Sequence, residues 1–197
     1  MQHFTIRPGV PLAEQAELGH NRWHPDLPFL GSVKPGEEII IETLDFLDAQ
    51  IGDNDDVADV RDIDLTRAHP LTGPFEIQGA EPGDLLVVDL LDIEPITQVG
   101  FSGVFSKSNG GGFLGDYFPN ADKAIWDLKG LFATSRHIPG VRIPGLTHPG
   151  LMGTLPSRVR WAIGTCCSTI RTPSSPSSSL TQPSAVLTAS AMSMSTV

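Results

Sequence analysis

Cysteine is almost missing from this 197-residue chain: there are two, Cys166 and Cys167, adjacent in sequence. Neighbouring cysteines rarely bridge each other, so no disulfide framework is expected, and a reducing cytoplasm is the expected compartment. Basic residues are few, 13 Lys and Arg against 23 Asp and Glu, for a formal net charge of −10. Binding phosphates needs clustered Lys and Arg, so nucleic acid is not an expected partner. Long apolar runs are missing as well. None approaches the about 20 residues of a transmembrane helix. The opening M-Q-H-F-T-I-R-P-G-V lacks the charged-then-apolar layout of a signal peptide, so no membrane partner is expected either. Familiar nucleophile signatures are absent. There is no H-E-x-x-H, and Gly100-Phe101-Ser102-Gly103 stops one residue short of G-x-S-x-G.

Turn formers are abundant, with 17 Pro and 20 Gly, and helical periodicity is scarce. The best helical candidate is 121–131, where Ala124, Ile125, Leu128 and Leu131 recur on one face and Gly130 ends the run early. The expected fold is mainly β, sandwich-like or barrel-like, with one short helix. Its centre is the stretch 69–93: a polar loop, a short strand, a Pro82-Gly83 turn, and a second strand from Leu85 to Ile93. That second strand is apolar apart from Asp89 and Asp92, which suits burial on both faces. The segment 35–45 repeats its pattern, with Pro-Gly-acid, an apolar run and a closing Leu-Asp in both. Two such units would pair in a sheet or pack face to face; Pro-Gly turns before strands are also common without duplication.

Between the two units lies an acid-rich stretch, 45–64. Asp53-Asn54-Asp55 invites a calcium-loop reading, which fails because Ala58 stands where that loop needs Gly and Asp64 where it needs Glu. A solvated loop or a short helix is expected instead. Gly110, Gly112 and Gly115 spell G-x-G-x-x-G, but the strand, helix and distant acid of a dinucleotide site are lacking, so the match is accidental.

What remains is histidine and carboxylate chemistry. His24, His69 and His148 each precede a proline, which holds their backbone extended, and His137 lies two residues before one. Histidines fixed on loops suit proton transfer or metal ligation, although each taken singly is more often structural. Asp45 closes the first strand unit and Glu81 opens the second turn, so sheet pairing would bring them to one rim. A water held by an acid and a His, or by a metal with those ligands, could attack a carbonyl carbon. The cofactor stays open: a divalent metal such as zinc suits these donors, yet no pair has ligand spacing.

The same residues carry a resemblance. H-P-L-T-G-P at 69–74 and G-A-E-P-G-D at 79–84, with G-H-N-R-W-H-P-D-L-P at 19–28, N-G-G-G-F-L-G-D-Y-F-P at 109–119 and A-T-S-R-H-I-P-G-V-R-I-P-G-L-T-H-P-G-L-M-G at 133–153, resemble the acetamidase/formamidase family, in its formamidase branch. Gln78 stands where many members carry Glu. The resemblance implies a hydrolase of a small linear amide, formamide or acetamide, giving ammonia and the carboxylate, and a homo-oligomeric full-length enzyme. Asp45, Glu81, His148 and His69 are the expected catalytic residues, and His24, His137 and Thr72 the expected substrate-binding ones. The alternatives are a non-catalytic β-sandwich binding module, an inactive remnant of the enzyme, and a metal-binding β-domain.

After Ser157 the character changes. All 23 acidic residues lie before position 158, and from Thr165 the text is Ser, Thr and Pro with small apolar residues. Two parts follow: 1–157, an incomplete family-like β domain, and 158–197, a low-complexity tail expected to stay disordered. A frameshift near Ser157 would account for the switch.

Overall fold

The computed structural model describes residues 1–145, 147, 150–158 and 186–190. Its strands are β1 (Gln2–Phe4), β2 (Gly19–His20), β3 (Gly31–Val33), β4 (Ile39–Ile41), β5 (Leu71–Ile77), β6 (Val99–Val104), β7 (Asp122–Lys129), β8 (Phe132–Ser135), β9 (Arg142–Pro144), β10 (Leu151–Gly153) and β11 (Val186–Ser190). The single α-helix among the described residues, α1 (Ala58–Arg61), falls inside the acid-rich stretch. The fold is therefore mainly β with one short helix, as the Pro and Gly punctuation implies. β11 falls in the expected tail; the rest of that tail, Cys166 and Cys167 included, and His148 lie outside the described residues.

Strand β5 organises the centre. Its first half pairs antiparallel with β2, in the register Gly19↔Thr72 and His20↔Leu71, and its second half pairs parallel with β3. On its other side it meets β11, which pairs with β10. Phe75 is fully buried here against Val33 and meets the Phe4 ring tilted at 56°, 4.5 Å between centroids. A separate two-stranded sheet joins β1 to β4, and a four-stranded meander runs β6-β7-β8-β9. Leu47, Ile63, Phe101 and Ile125 form a second core, between the meander and the acid-rich stretch.

Two expected elements are corrected. Residues 121–131 form no helix but β7 and the two-residue turn that leads into β8, with Lys129 opposite Phe132. Gly130 takes φ +59°, the left-handed conformation that a tight hairpin turn needs. Ile125 faces one core while Ala124 and Trp126 face another with Ala133. A strand buried on both faces reads as a continuous apolar run, which a helical template also matches.

The second correction concerns 85–93. No strand forms there, and the segment is largely exposed, Leu85 at 88% and Leu91 at 73%. Both Pro-Gly turns exist, with Gly36 at φ +79° and Gly83 at φ +115°. Only the first launches a strand, because β1 is there to pair with β4. Among the described residues nothing offers a ladder to 85–93, so the two units neither pair nor stack.

Candidate active site

The loop after β4 and the loop before β5 form one unit. Asp45 caps its own turn: Oδ1 accepts from the Leu47 N–H at 2.9 Å and Oδ2 from the Ala49 N–H at 2.8 Å. The Asp45 carboxyl is pushed above its ordinary value by burial, with the nearby Asp48 charge adding to the rise; the two N–H donors hold it back. Asp48 is buried. It accepts from the Leu12 N–H at 2.6 Å and from Arg67 Nε at 2.9 Å, and its carbonyl accepts from Arg67 Nη2.

Across this loop the His69 N–H donates to the Phe46 carbonyl at 2.7 Å. The His69 ring stacks on Phe46 at 5.9 Å, and Phe46 stacks in turn on Phe101 of β6 at 6.0 Å. The ring is exposed on one side and backed by the second core on the other. Three residues on, buried Thr72 donates its hydroxyl to the Glu42 carbonyl at 2.8 Å, tying β5 to the end of β4. Among the described residues three non-glycines have positive φ: Asp48 and Ala49, both +58°, and His69, +62°. All three belong to this unit. Left-handed backbone at such residues costs of order 1 kcal/mol or more each, and it concentrates where a structure holds groups for function.

The structure thus ties the loop that carries Asp45 to the segment that carries His69 and Thr72, through the Phe46 and Glu42 carbonyls. It does not bring Glu81 to them. Glu81 opens an exposed turn closed by its own N–H on Asp84 Oδ2, and the sheet pairing that was to carry it beside Asp45 is not formed. His24, half-buried, lies four residues beyond β2, and its Nδ1 accepts from the Asp26 N–H. His137 belongs to a different cluster. Its Nδ1 accepts from the Ile125 N–H at 3.1 Å, which leaves the proton on Nε2, 3.3 Å from Asp55 Oδ1. Arg136 bridges Asp53 and Asp55 beside it.

In that cluster lies the reason the calcium pattern fails. Lys123 Nζ, buried, sits among the loop acceptors at 2.7 Å from Asn54 Oδ1, 2.9 Å from Asp59 Oδ2 and 3.5 Å from the Gly52 carbonyl. Burial pushes the Asp59 carboxyl up, but the Lys123 ammonium, the Gly52 N–H and the Asn54 amide hold it below the ordinary range. An ammonium with its three donors occupied stands where a cation would.

Sequence reasoning passed over His20 in favour of His24, because His24 precedes a proline. His20 is buried on β2 beside Leu71. Its Nδ1 lies 3.0 Å from the Arg22 carbonyl, and a carbonyl only accepts, so Nδ1 carries the proton and Nε2 is a bare lone pair. That Nε2 is shut from solvent and has no hydrogen-bond partner among the described residues. Burial lowers the ring's pKa, the Arg22 contact opposing it, and keeps the imidazole neutral. No sequence signal distinguishes it from the other histidines of its segment.

Two concavities lie near the central sheet, and neither is lined by Asp45 or His69. One, about 520 Å³, lies between the Pro35–Gly36 turn and Gln2, Ser32 and Gln78, with Gln78 Nε2 bonded to Ser32. Under Thr72 there is only a cavity of about 10 Å³ lined by Leu44, Pro70 and Leu71, room for about one water. Among the described residues no three His, Cys, Asp or Glu side chains stand close enough to hold a metal ion. No helix among them is long and apolar enough to cross a membrane.

A mainly-β scaffold with a strained acid and histidine loop at the head of its central strand defines the class, and the comparisons with known proteins narrow it. The acetamidase/formamidase family model matches residues 5–163. The chain is 55% identical over 163 residues to an acetamidase of Mycolicibacterium smegmatis, covering 78% of this chain and 40% of that one. It is 57% identical over 147 residues to a formamidase of Methylophilus methylotrophus, covering 74% and 36%. Among solved structures, a gamma lactamase from Delftia acidovorans superposes with a TM-score of 0.78 at 48% identity, covering 83% of this chain and 41% of that one. This chain belongs to the acetamidase/formamidase family. It spans about two-fifths of the length of the curated relatives it matches.

Proposed function

We propose that this chain carries part of the catalytic apparatus of a small-amide hydrolase, acting on formamide or acetamide to give ammonia and the carboxylate. One observation carries the reading. The loop that presents Asp45 and the His69-Pro-Leu-Thr72 segment are locked together at the only positive-φ non-glycines described, in a chain whose relatives are named acetamidase and formamidase. In this reading Asp45, raised above the ordinary carboxyl range, exchanges a proton with the attacking water and the leaving nitrogen. His69 offers a second proton-transfer group on the exposed side of the same loop, with its ring orientation set by Phe46. Thr72 sets the spacing between the two loops through its bond to Glu42.

Glu81 and His148 keep their proposed catalytic parts, and His24 and His137 their substrate-binding ones, on the resemblance alone. A zinc-like divalent metal, a cytoplasmic location, a role in nitrogen metabolism and a homo-oligomeric full-length enzyme belong to the same proposal. The assay is ammonia release from formamide and acetamide, by the purified chain and by the chain co-expressed with the part of the Methylophilus formamidase outside the matched segment. Ammonia that Asp45→Asn and His69→Ala each reduce at least 100-fold supports the reading. Ammonia from neither preparation, or turnover untouched by both substitutions, contradicts it.

A further inference from the structure

Strand β8 leaves β7 at Ser135, which stands opposite Trp126 at the end of their register. The next residue of β7, Ile125, has an N–H and a C=O that a longer β8 would bond. Side chains take them instead. His137 Nδ1 accepts the Ile125 N–H at 3.1 Å, and the buried Ser135 hydroxyl donates to the Ile125 C=O at 2.6 Å. Ser135 Oγ also accepts the His137 N–H at 3.2 Å, which fixes how the ring approaches. The edge of β7 is thus closed at Ile125 by two side chains rather than by a strand. Ile125 belongs to the second core, on which Phe46 packs.

The His137 half of this closure works only with a bare Nδ1, because a protonated ring nitrogen has no lone pair with which to accept. The other ring nitrogen points at a carboxylate, with Nε2 at 3.3 Å from Asp55 Oδ1, and the side chain is a quarter exposed, so solvent can protonate it. The charged groups around the ring are Asp53 and Asp55 of the acid-rich loop and Arg136, which bridges them, with the Lys123–Asp59 pair on the same loop. The Arg136 hydrogen bond holds the Asp55 carboxyl below the ordinary range, so Asp55 stays ionised where a histidine takes up its proton. Protonation therefore costs His137 its bond to β7 and strengthens its attraction to the loop. We propose that His137 is a proton-operated clasp: neutral, it closes the β7 edge at Ile125; protonated, it releases Ile125 and turns to the Asp53 and Asp55 carboxylates. The inference rests on the geometry of this cluster and not on the amide-hydrolase reading, so loss of activity leaves it standing.

The test is NMR on the full chain between about pH 8 and pH 5, the range in which a histidine changes charge. The readouts are the nitrogen-15 shifts of the His137 ring and the protection of the Ile125 amide against hydrogen exchange, relative to its intrinsic rate. At the upper pH the expected ring is neutral with its proton on Nε2, and Ile125 is protected. On acidification the Ile125 protection falls about tenfold or more, in step with the His137 titration. Leu128 of the same strand, which donates to the Gln98 carbonyl, keeps its protection. In His137→Gln, which has nothing to titrate there, the fall disappears, whereas His3→Gln on exposed β1 shows it unchanged. A ring with its proton on Nδ1 at the upper pH would overturn the proposal, as would Ile125 protection that does not follow the His137 titration; both need only the parent chain. A fall of the same size in His137→Gln would overturn it too. So would a loss that includes Leu128, which would be melting of the strand rather than release of a clasp.

Discussion

His20 is held neutral by where it sits, and that makes stability depend on pH. Its native pKa lies below the ordinary 6.5 because burial disfavours the cation. As pH falls below about 6.5 the unfolded chain takes up a proton at this position that the native chain refuses, so the native state loses stability. The loss levels off once pH is below the native pKa. His20→Gln removes this contribution: its melting temperature should fall less than that of the parent between pH 7 and pH 5, and equal falls would contradict the assignment. Asp45 moves the other way. Its native carboxyl keeps a proton at a pH where the unfolded one has lost it, so its ionisation destabilises the fold as pH rises through the native value. A carbon-13 titration of the Asp45 carboxyl should have its midpoint above the ordinary 3.8, and a midpoint at or below that value would refute the burial argument.

At the scale of elements, two contacts hold the layers in place. Gly19 lies so close to β5 that an added Cβ would stand 2.3 Å from the Leu71 carbonyl oxygen, and backbone cannot step aside as a flexible side chain can. Gly19→Ala should push β2 off β5 and cost about 2 kcal/mol in urea unfolding, the scale of an overpacked core. Lys123 ties β7 to the 52–59 loop through a buried ammonium. Lys123→Met leaves Asp59 without its cation and should cost about 3 kcal/mol, while Lys123→Met with Asp59→Leu should recover most of it. These elements also mark how far the sequence could be read. The turns at Pro35-Gly36 and Pro82-Gly83 were legible because a Pro-Gly pair needs no tertiary partner to bend. The helix expected over 121–131 was not, since Ala124-Ile125-Trp126 fits either template and the neighbours β6 and β8 decide it. Asp45, His69 and Thr72 could be picked by residue type, whereas His20 and Lys123 owe their meaning to burial that only the folded chain reveals.

At the scale of the whole molecule, the described chain carries a core around Phe75, a second around Leu47 and Ile125, and a largely exposed apolar segment at 85–93. At the second core the His69–Phe46–Phe101 stack couples the acid and histidine loop to the meander. The small cavity under Thr72, behind this loop, has room for about one water. The central claim is that the Asp45 and His69 unit performs amide hydrolysis. The most direct measurement is ammonia release from formamide by the chain co-expressed with the complementing part of the Methylophilus formamidase, with Asp45→Asn and His69→Ala alongside. The account predicts turnover that each substitution lowers at least 100-fold while the complex still forms. Turnover unaffected by both, or an assembled complex that releases no ammonia, would contradict it.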